Sequence, residues 1–271
     1  MRLTLHKALK IAYRSREALR SPGSYAACLR KDAADPVGRA QAGPYPEGDG
    51  GWRFQFERLP VHDALLRTYR LDEIAGQGDI FTRVLRIMDW LTAHTWYNGH
   101  AIWPAWRFQG SEDSLRILRY AYDGPFRRCL NCRHKAFVFA DCLTAAGMHA
   151  MPVAMGGDSG GCHFTVHAWL PEARRWVMLD PSFNAYLTDE TGRALNLVEI
   201  QGRHRQGEKL CAAQYSLNGT QDCRDIYLEG FLLASLLRIY ARDGKDTRAI
   251  TAIELLAEPI SIIIDQEEIT C

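Results

Sequence analysis

Apolar residues recur at helical spacing in three segments of the middle of the chain. The first segment covers residues 79–96, where Asp79 is placed to cap the helix. The second covers residues 111–122, with Ser111 as its candidate N-cap. The third runs from Cys132 to Ala146, and Gly147 is the natural residue to end it. Each segment is apolar along one stripe, so each helix is expected to pack one face against a core.

The period of the pattern changes after Gly147. Three segments with strand character follow, over residues 149–155, 163–170 and 175–180. A glycine-rich loop at 156–161 and a short connection at 171–174 separate them. Helices followed by antiparallel hairpins predict an α+β fold rather than alternating βαβ units. The helix that begins at Cys132 is expected to pack on the antiparallel sheet.

The flanking segments complete a three-part organisation. Residues 1–69 are predicted to form an N-terminal arm and loop, since 32–51 is rich in Gly, Pro and Asp. Residues 70–190 are predicted to form the core. Residues 191–271 are predicted to be an extension packed on that core, with an apolar helix at 225–242 and a strand at 259–265.

Composition narrows the classes of function. With a formal net charge of +1, the chain has no global attraction for nucleic acid or for an anionic membrane. No apolar run approaches the roughly 20 residues of a membrane-spanning helix, and no signal peptide is recognised. Residues 1–31 carry eight Lys or Arg against one acid, Glu17, which resembles a transit peptide in composition, although a solvated basic arm is preferred. Eight scattered cysteines do not form a disulfide scaffold, so a reducing, cytoplasmic setting is expected.

Three polar residues stand where thiol chemistry would need them. Cys132 opens the third helix, where the unpaired N–H groups and the helix dipole favour a thiolate. His167 lies in the second strand, and Asp180, 13 residues later, ends the third. An imidazole beside a thiolate can accept and return a proton, and a carboxylate can orient the imidazole. The spacing predicts that His167 and Asp180 lie on adjacent strands of a hairpin.

The C-x-x-C formed by Cys129 and Cys132 leaves two other interpretations open. A zinc site would add Cys162 and His163, although adjacent Cys and His residues chelate poorly. A redox pair would require a thioredoxin-like unit in which a strand precedes the motif. Cys129 could also form a protective disulfide with Cys132 on oxidation. Neither metal nor cofactor is expected for the thiol chemistry.

The segment 132-CRHKAFVFADCLTAAGMHAMPV-153, together with 167-HAW-169 and 176-WVMLDPS-182, resembles the core of the transglutaminase-like superfamily. The resemblance covers roughly residues 70–190. It implies a papain-like fold and a catalytic triad of Cys132, His167 and Asp180. Asn131 departs from the glycine that the family often has before the nucleophile, and 147-GMHAMPV-153 lacks the arginine common after the family's Gly-Ile-Pro.

The resemblance also implies an oxyanion site at the backbone N–H of Cys132. The second donor is expected from the aromatic loop at 96–108, and further residues are candidates to line the site. These lower-ranked candidates are Trp96, Asn98, Trp103, Asn131, Trp169 and Asn184. His134 and His163 are expected at the surface or at the rim of the cleft.

The expected chemistry is acyl transfer through a thioester on Cys132, with a peptide, a protein or a small amide as the substrate. Hydrolysis is the default because water is always present unless a site excludes it. Transamidation and amide synthesis remain alternatives, and so does a non-catalytic binding protein with the same fold. The oligomeric state is not indicated by the sequence.

Overall fold

The structure, a computed structural model, describes residues 58–98, 114–123, 129–156, 162–219, 227–232, 238–241 and 250–251, together with Arg224. The predicted basic arm, Ser111, Trp103 and the strand at 259–265 lie outside these ranges. In the part of the chain that is described, no helix is both long and apolar enough to cross a membrane.

Six α-helices lie in the described ranges, and they include the three that the apolar pattern predicts. Asp79 caps one of them, since its side chain accepts a hydrogen bond from the N–H of Thr82 at 2.8 Å. Gly147 follows another with a φ of 78°, which is the left-handed conformation that ends a helix. The helices are α1 (Pro60–Tyr69), α2 (Leu71–Ala75), α3 (Ile80–His94), α4 (Ser114–Tyr122), α5 (Cys132–Ala145) and α6 (Leu197–Arg205).

Within the described ranges five strands form the main sheet, in the order β5-β4-β3-β8-β9, and every neighbouring pair is antiparallel. Its members are β3 (Ala150–Gly156), β4 (Cys162–Leu170), β5 (Arg175–Leu179), β8 (Arg238–Ala241) and β9 (Ile250–Thr251). Two short pairs accompany it: β1 (Trp96–Tyr97) with β2 (Cys129–Leu130), and β6 (Tyr186–Thr188) with β7 (Cys211–Gln214). The fold is therefore α+β, as predicted.

Two hydrophobic clusters cover the two faces of the sheet. Alternate residues of a strand face opposite sides, and Phe164, Val166, Ala168 and Leu170 of β4 join the buried faces of α1 to α5 in the first cluster. Met151 and Val153 of β3 belong to the second cluster, with Trp176 and Met178 of β5 and Leu197 of α6. Cys132 packs against both clusters, so it lies where they meet.

A buried carboxylate ties three helices together on the first face. Asp141 of α5 accepts hydrogen bonds from Ser114 of α4 and from His62 of α1, the second at 3.3 Å. The Nδ1 of His62 accepts from the backbone N–H of Leu59 at 3.0 Å, so the proton toward Asp141 is on Nε2. These contacts fix the helix layer that supports α5.

The described parts of the apolar run at 225–242 do not form the predicted single helix. Tyr227–Leu232 is a π-helical turn, and Arg238–Ala241 is the strand β8, which pairs with β3 from Val153↔Ala241 to Gly156↔Arg238. A short apolar run is compatible with either helix or strand, and here the otherwise unpaired edge of β3 selects the strand. The division of the chain at residues 69 and 190 stays a prediction.

Candidate functional site

Cys132 is the first residue of α5, and its backbone is held there by Asn131. The Asn131 side chain caps the helix by accepting from the N–H of His134 at 3.0 Å. Cys132 is half-buried and is in no disulfide. The N–H groups of a first helical turn have no acceptor within the helix. The thiol therefore lies in the positive field of a helix N-terminus, as the sequence predicts.

The imidazole that contacts Asp180 belongs to His163. Its Nε2 lies 2.7 Å from the Oδ2 of Asp180, and both side chains are almost fully buried. The thiol of Cys132 lies near enough to the same ring to raise its pKa. A thiol, an imidazole and a carboxylate thus lie in this order, and we call them the Cys132–His163–Asp180 cluster.

The environment of His163 favours the imidazolium. Burial disfavours the charged ring, but the carboxylate of Asp180 and the thiol of Cys132 outweigh it and raise the pKa of His163 to about 10. Because Nε2 is used by Asp180, Nδ1 is the ring nitrogen left to exchange a proton with the thiol. The cluster therefore places a thiol beside an imidazole whose surroundings favour its charged form.

The structure does not bring His167 to this cluster, which corrects the predicted placement. Its Nε2 accepts a hydrogen bond at 3.2 Å from the N–H of Leu197, the first residue of α6. His167 is fully buried, its Nδ1 has no hydrogen-bond partner, and burial lowers its pKa to about 3. His163, which lies beside the thiol, is four residues earlier on β4, about 13 Å from His167.

The expectation of a surface or rim position for His163 and His134 is also wrong. His163 is 1% exposed and His134 is 5% exposed. The Nδ1 of His134 lies 2.5 Å from the Oδ1 of Asn131, so this imidazole supports the cap of α5 rather than the thiol.

Asp180 is held in place by its own turn. Its backbone N–H donates to the carbonyl of Ala185 at 2.7 Å, and its carbonyl accepts from the N–H of Ala185 at 3.0 Å. Its Oδ1 accepts from the N–H of Ser182 at 2.9 Å. Its Oδ2 accepts a second hydrogen bond, from the hydroxyl of Tyr227 at 3.1 Å. The sequence gives no signal for Tyr227, because it lies 47 residues further along the chain.

A buried lysine, which the sequence pattern does not indicate, also lies beside the cluster. Lys135 is 1% exposed, and its Nζ donates to the carbonyl of Thr95 at 2.9 Å. Burial lowers its pKa to about 7, although the negative charges of Asp180 and Cys129 oppose this shift. The lysine joins the helix that carries the thiol to the residue that precedes β1.

The short strand β1 brings two of the predicted oxyanion candidates toward Cys132. β1 and β2 pair in parallel, with Trp96 beside Cys129 and Tyr97 beside Leu130. The N–H of Asn98 donates to the carbonyl of Leu130 at 2.9 Å, so Asn98 lies next to the residue that precedes Asn131. Asn98 is 1% exposed. Trp103 lies outside the described residues.

Trp169 and Asn184 make their contacts with other parts of the fold. Trp169 is six residues from His163, about 20 Å along β4, and its ring packs on Trp176 at 5.5 Å. Asn184 is on the turn that follows Asp180, with a φ of 46°, and its amide donates to the carboxylate of Asp89 at 2.8 Å. That contact fixes the turn against α3.

The geometry of the C-x-x-C argues against a disulfide between Cys129 and Cys132. Cys129 and Leu130 are in β2, and Asn131 is extended, with φ −81° and ψ 172°. Three residue steps of extended chain separate the two Cα atoms by about 10 Å, whereas a disulfide needs less than about 7 Å. Burial also raises the pKa of the Cys129 thiol to about 11. Among the described residues no group of three or more His, Cys, Asp and Glu side chains is placed to hold a metal ion.

Comparison with known proteins gives distant structural neighbours only. No family model matches the chain, and no curated protein matches it in sequence. A crystal structure named "a Putative Cysteine Protease from Cytophaga hutchinsonii" aligns with 44% of this chain and 37% of its own, at 16% identity and a TM-score of 0.32. A crystal structure of a TGase aligns with 45% of this chain and 31% of its own, at 17% identity and the same TM-score. The aligned region thus spans about a third of each neighbour.

Proposed function

We propose that this protein is a cysteine-dependent acyl-transfer enzyme with a transglutaminase-like, papain-like core. Cys132 is the nucleophile, His163 the general base and then acid, and Asp180 the residue that orients the imidazole. The substrate is an amide or a peptide bond, and the default reaction is hydrolysis. This assignment replaces His167, the histidine that the sequence resemblance implies, with His163.

The observation that carries the proposal is the contact between His163 and Asp180 at the head of α5. A buried carboxylate at 2.7 Å from Nε2 fixes the ring orientation and stabilises the imidazolium. The other nitrogen of the ring is then available to Cys132. A nucleophile, a base and an orienting group in this order form the set of residues that nucleophilic catalysis uses.

Each step moves a proton between named groups. His163 accepts the thiol proton, and the Cys132 thiolate attacks the carbonyl carbon to form a carbon–sulfur bond and an oxyanion. When the oxyanion collapses, the carbon–nitrogen bond breaks and the leaving amine takes the proton from His163, which leaves a thioester. Neutral His163 then accepts a proton from water as it attacks, and the acid is released as the thiolate departs.

The oxyanion needs two donors in this scheme. The backbone N–H of Cys132 is one, because it lies in the first turn of α5. Trp96 lies in β1 and Asn98 directly follows it. The register favours the side-chain amide of Asn98, since Asn98 is two residues nearer to Cys132 along the paired chains.

Transamidation uses the same thioester with an amine in place of water. Protein cross-linking and amide synthesis are therefore alternatives that the cluster serves equally well. A binding protein that retains the fold without catalysis is an alternative of a different class, and the reactivity of the thiol separates it from both.

The test is competitive alkylation with limiting iodoacetamide near pH 6, read by peptide mass spectrometry. Cys132 is expected to react at least about tenfold faster than Cys211, which is also half-buried, because a stabilised thiolate reacts and a thiol does not. His163→Gln is expected to abolish this advantage, and His167→Gln is expected to preserve it. Equal labelling of Cys132 and Cys211 in the wild-type protein would overturn the proposal and favour the binding protein.

A further inference from the structure

The carboxylate of Asp180 has a second side-chain donor besides the imidazole. Its Oδ2 accepts from Nε2 of His163 at 2.7 Å and from the hydroxyl of Tyr227 at 3.1 Å. Two donors on one oxygen compete for the same negative charge. The strength of one hydrogen bond therefore depends on the other.

Tyr227 is buried and packed against other aromatic rings at this position. It is 1% exposed, and its ring packs on Phe183 at 4.6 Å and on Tyr215 at 5.4 Å between ring centroids. It begins a π-helical turn, a rare conformation that is frequent at functional sites. Burial, followed by the charge of Asp180, raises the pKa of Tyr227 well above its usual value, so the hydroxyl remains a donor across the working range of pH.

We propose that Tyr227 is a positioning residue of the thiol chemistry, which fixes Asp180 and limits how strongly its carboxylate stabilises the His163 imidazolium. The inference rests on the proposed function. By donating to Oδ2, the hydroxyl withdraws part of the negative charge that would otherwise act on Nε2. His163 can then release its proton to a leaving amine more readily than it could beside an uncompensated carboxylate.

The proposal makes the C-terminal part of the chain a contributor to the site. Tyr227 lies beyond residue 190, where the sequence places the end of the core. Phe183, which its ring contacts, lies in the turn that holds Asp180. The turn and the tyrosine therefore form one support for the carboxylate.

The decisive variant is Tyr227→Phe, which keeps the ring and removes the hydroxyl. The proton on Nε2 of His163 is followed by NMR in the unalkylated protein, and its resonance is expected to move downfield as the bond to Asp180 strengthens. The pH at which the imidazolium titrates is expected to rise by about half a unit or more. A purely structural role for Tyr227 would move neither quantity.

Tyr69→Phe is the matched control. Tyr69 is also buried and also donates to an aspartate, the Oδ2 of Asp123 at 3.4 Å, but it packs in the first cluster. The Tyr69→Phe variant should leave the resonance and the titration of His163 unchanged. Folded Tyr227→Phe protein with the wild-type resonance and titration would overturn the inference.

A second variant decides the question if Tyr227→Phe does not fold. Incorporation of 3-fluorotyrosine at position 227 keeps the shape and makes the hydroxyl a stronger donor. The resonance should then move upfield and the titration should shift to lower pH, and the absence of both changes would overturn the inference. These measurements need neither turnover nor alkylation. Slow alkylation of wild-type Cys132 would therefore refute the proposed function alone, and an unshifted His163 would refute the role of Tyr227 alone.

Discussion

His163 and His167 stand on either side of Thr165 on β4, and the choice between them shows what spacing can decide. The register pairs Val166 with Leu179, so one further step puts Thr165 opposite Asp180. Both histidines are then diagonal neighbours of the carboxylate on the same face. Spacing along the hairpin cannot separate them.

The position of Cys132 decides which of the two histidines lies near the nucleophile. Helix α5 is 14 residues long, or about 20 Å, and a short connection returns the chain along β3. The end of β3 is therefore level with the start of α5. Met155, near that end, pairs with His163, whereas Met151, near its beginning, pairs with His167. The sequence contains this information, but its use requires the lengths of α5 and β3 and the register between β3 and β4, rather than a motif.

His167 has a testable effect on stability rather than on chemistry. Below about pH 6.5 an unfolded histidine takes up a proton, whereas burial holds the pKa of His167 at about 3. Unfolding is therefore favoured as the pH falls through this window. His167→Gln keeps an acceptor for the N–H of Leu197 and does not titrate. The wild-type protein should therefore lose about 2 kcal/mol more unfolding free energy than His167→Gln when the pH falls from 7.0 to 4.5.

Urea denaturation at pH 7.0 and pH 4.5 measures this difference. The exposed His204 on α6 provides the control, since His204→Gln should leave the pH dependence as it is in the wild type. Identical losses of stability in wild-type and His167→Gln proteins would show that His167 takes up its proton in the folded state.

Asn98 can be tested without a known substrate. Acylation of Cys132 by p-nitrophenyl acetate passes through an oxyanion, whereas alkylation by iodoacetamide does not. Asn98→Ala should therefore slow acylation by about 100-fold and leave alkylation nearly unchanged. The release of p-nitrophenolate in the first turnover measures the acylation rate. Equal slowing of both reactions would mean that Asn98 supports the thiol rather than the oxyanion.

At the scale of elements, helices and strands are predicted best where the local sequence pattern and packing against the core favour the same conformation. Helix α5 has an apolar face and a terminal Gly147, and β4 alternates between two faces, so both were predicted close to their observed bounds. Helix α6 was missed, since only Leu197, Ile200 and Gln201 are buried on it. The segment at 238–241 was assigned to a helix because its strand conformation depends on β3, which lies about 85 residues earlier in the chain.

The two asparagine caps allow stability and reactivity to be separated. Asn131 caps α5 and Asn196 caps α6, each by accepting from the N–H three residues later. Replacement of either by Ala should cost about 1 kcal/mol of unfolding free energy. Only Asn131→Ala should also slow the alkylation of Cys132, because it alone loosens the helix turn that carries the thiol.

Urea denaturation and iodoacetamide kinetics on both variants provide the comparison. Loss of thiol reactivity in Asn196→Ala to the same extent as in Asn131→Ala would indicate a general loss of packing. It would contradict a local effect of the α5 cap.

At the scale of the molecule, the cluster depends on residues that are close only in the folded chain. Cys132, His163 and Asp180 come from a helix, a strand and a turn, and Tyr227 comes from the C-terminal part. The sequence predicts the thiol and the carboxylate because each ends or begins an element. The partners Lys135 and Tyr227 were beyond prediction, since their contacts depend on tertiary packing.

The two clusters share strands β3, β4 and β5, and we therefore expect them to unfold together. Leu143 on α5 belongs to the first cluster and Leu187 on β6 to the second, and both are fully buried. Replacement of either by Ala should cost about 2–5 kcal/mol and should shift one common transition. Circular dichroism reports on the whole chain, and the reactivity of Cys142, which is fully buried on α5, reports on the first face. If Leu187→Ala lowered the urea midpoint of the dichroism and left the exposure of Cys142 unchanged, the two faces of the sheet would be independent units.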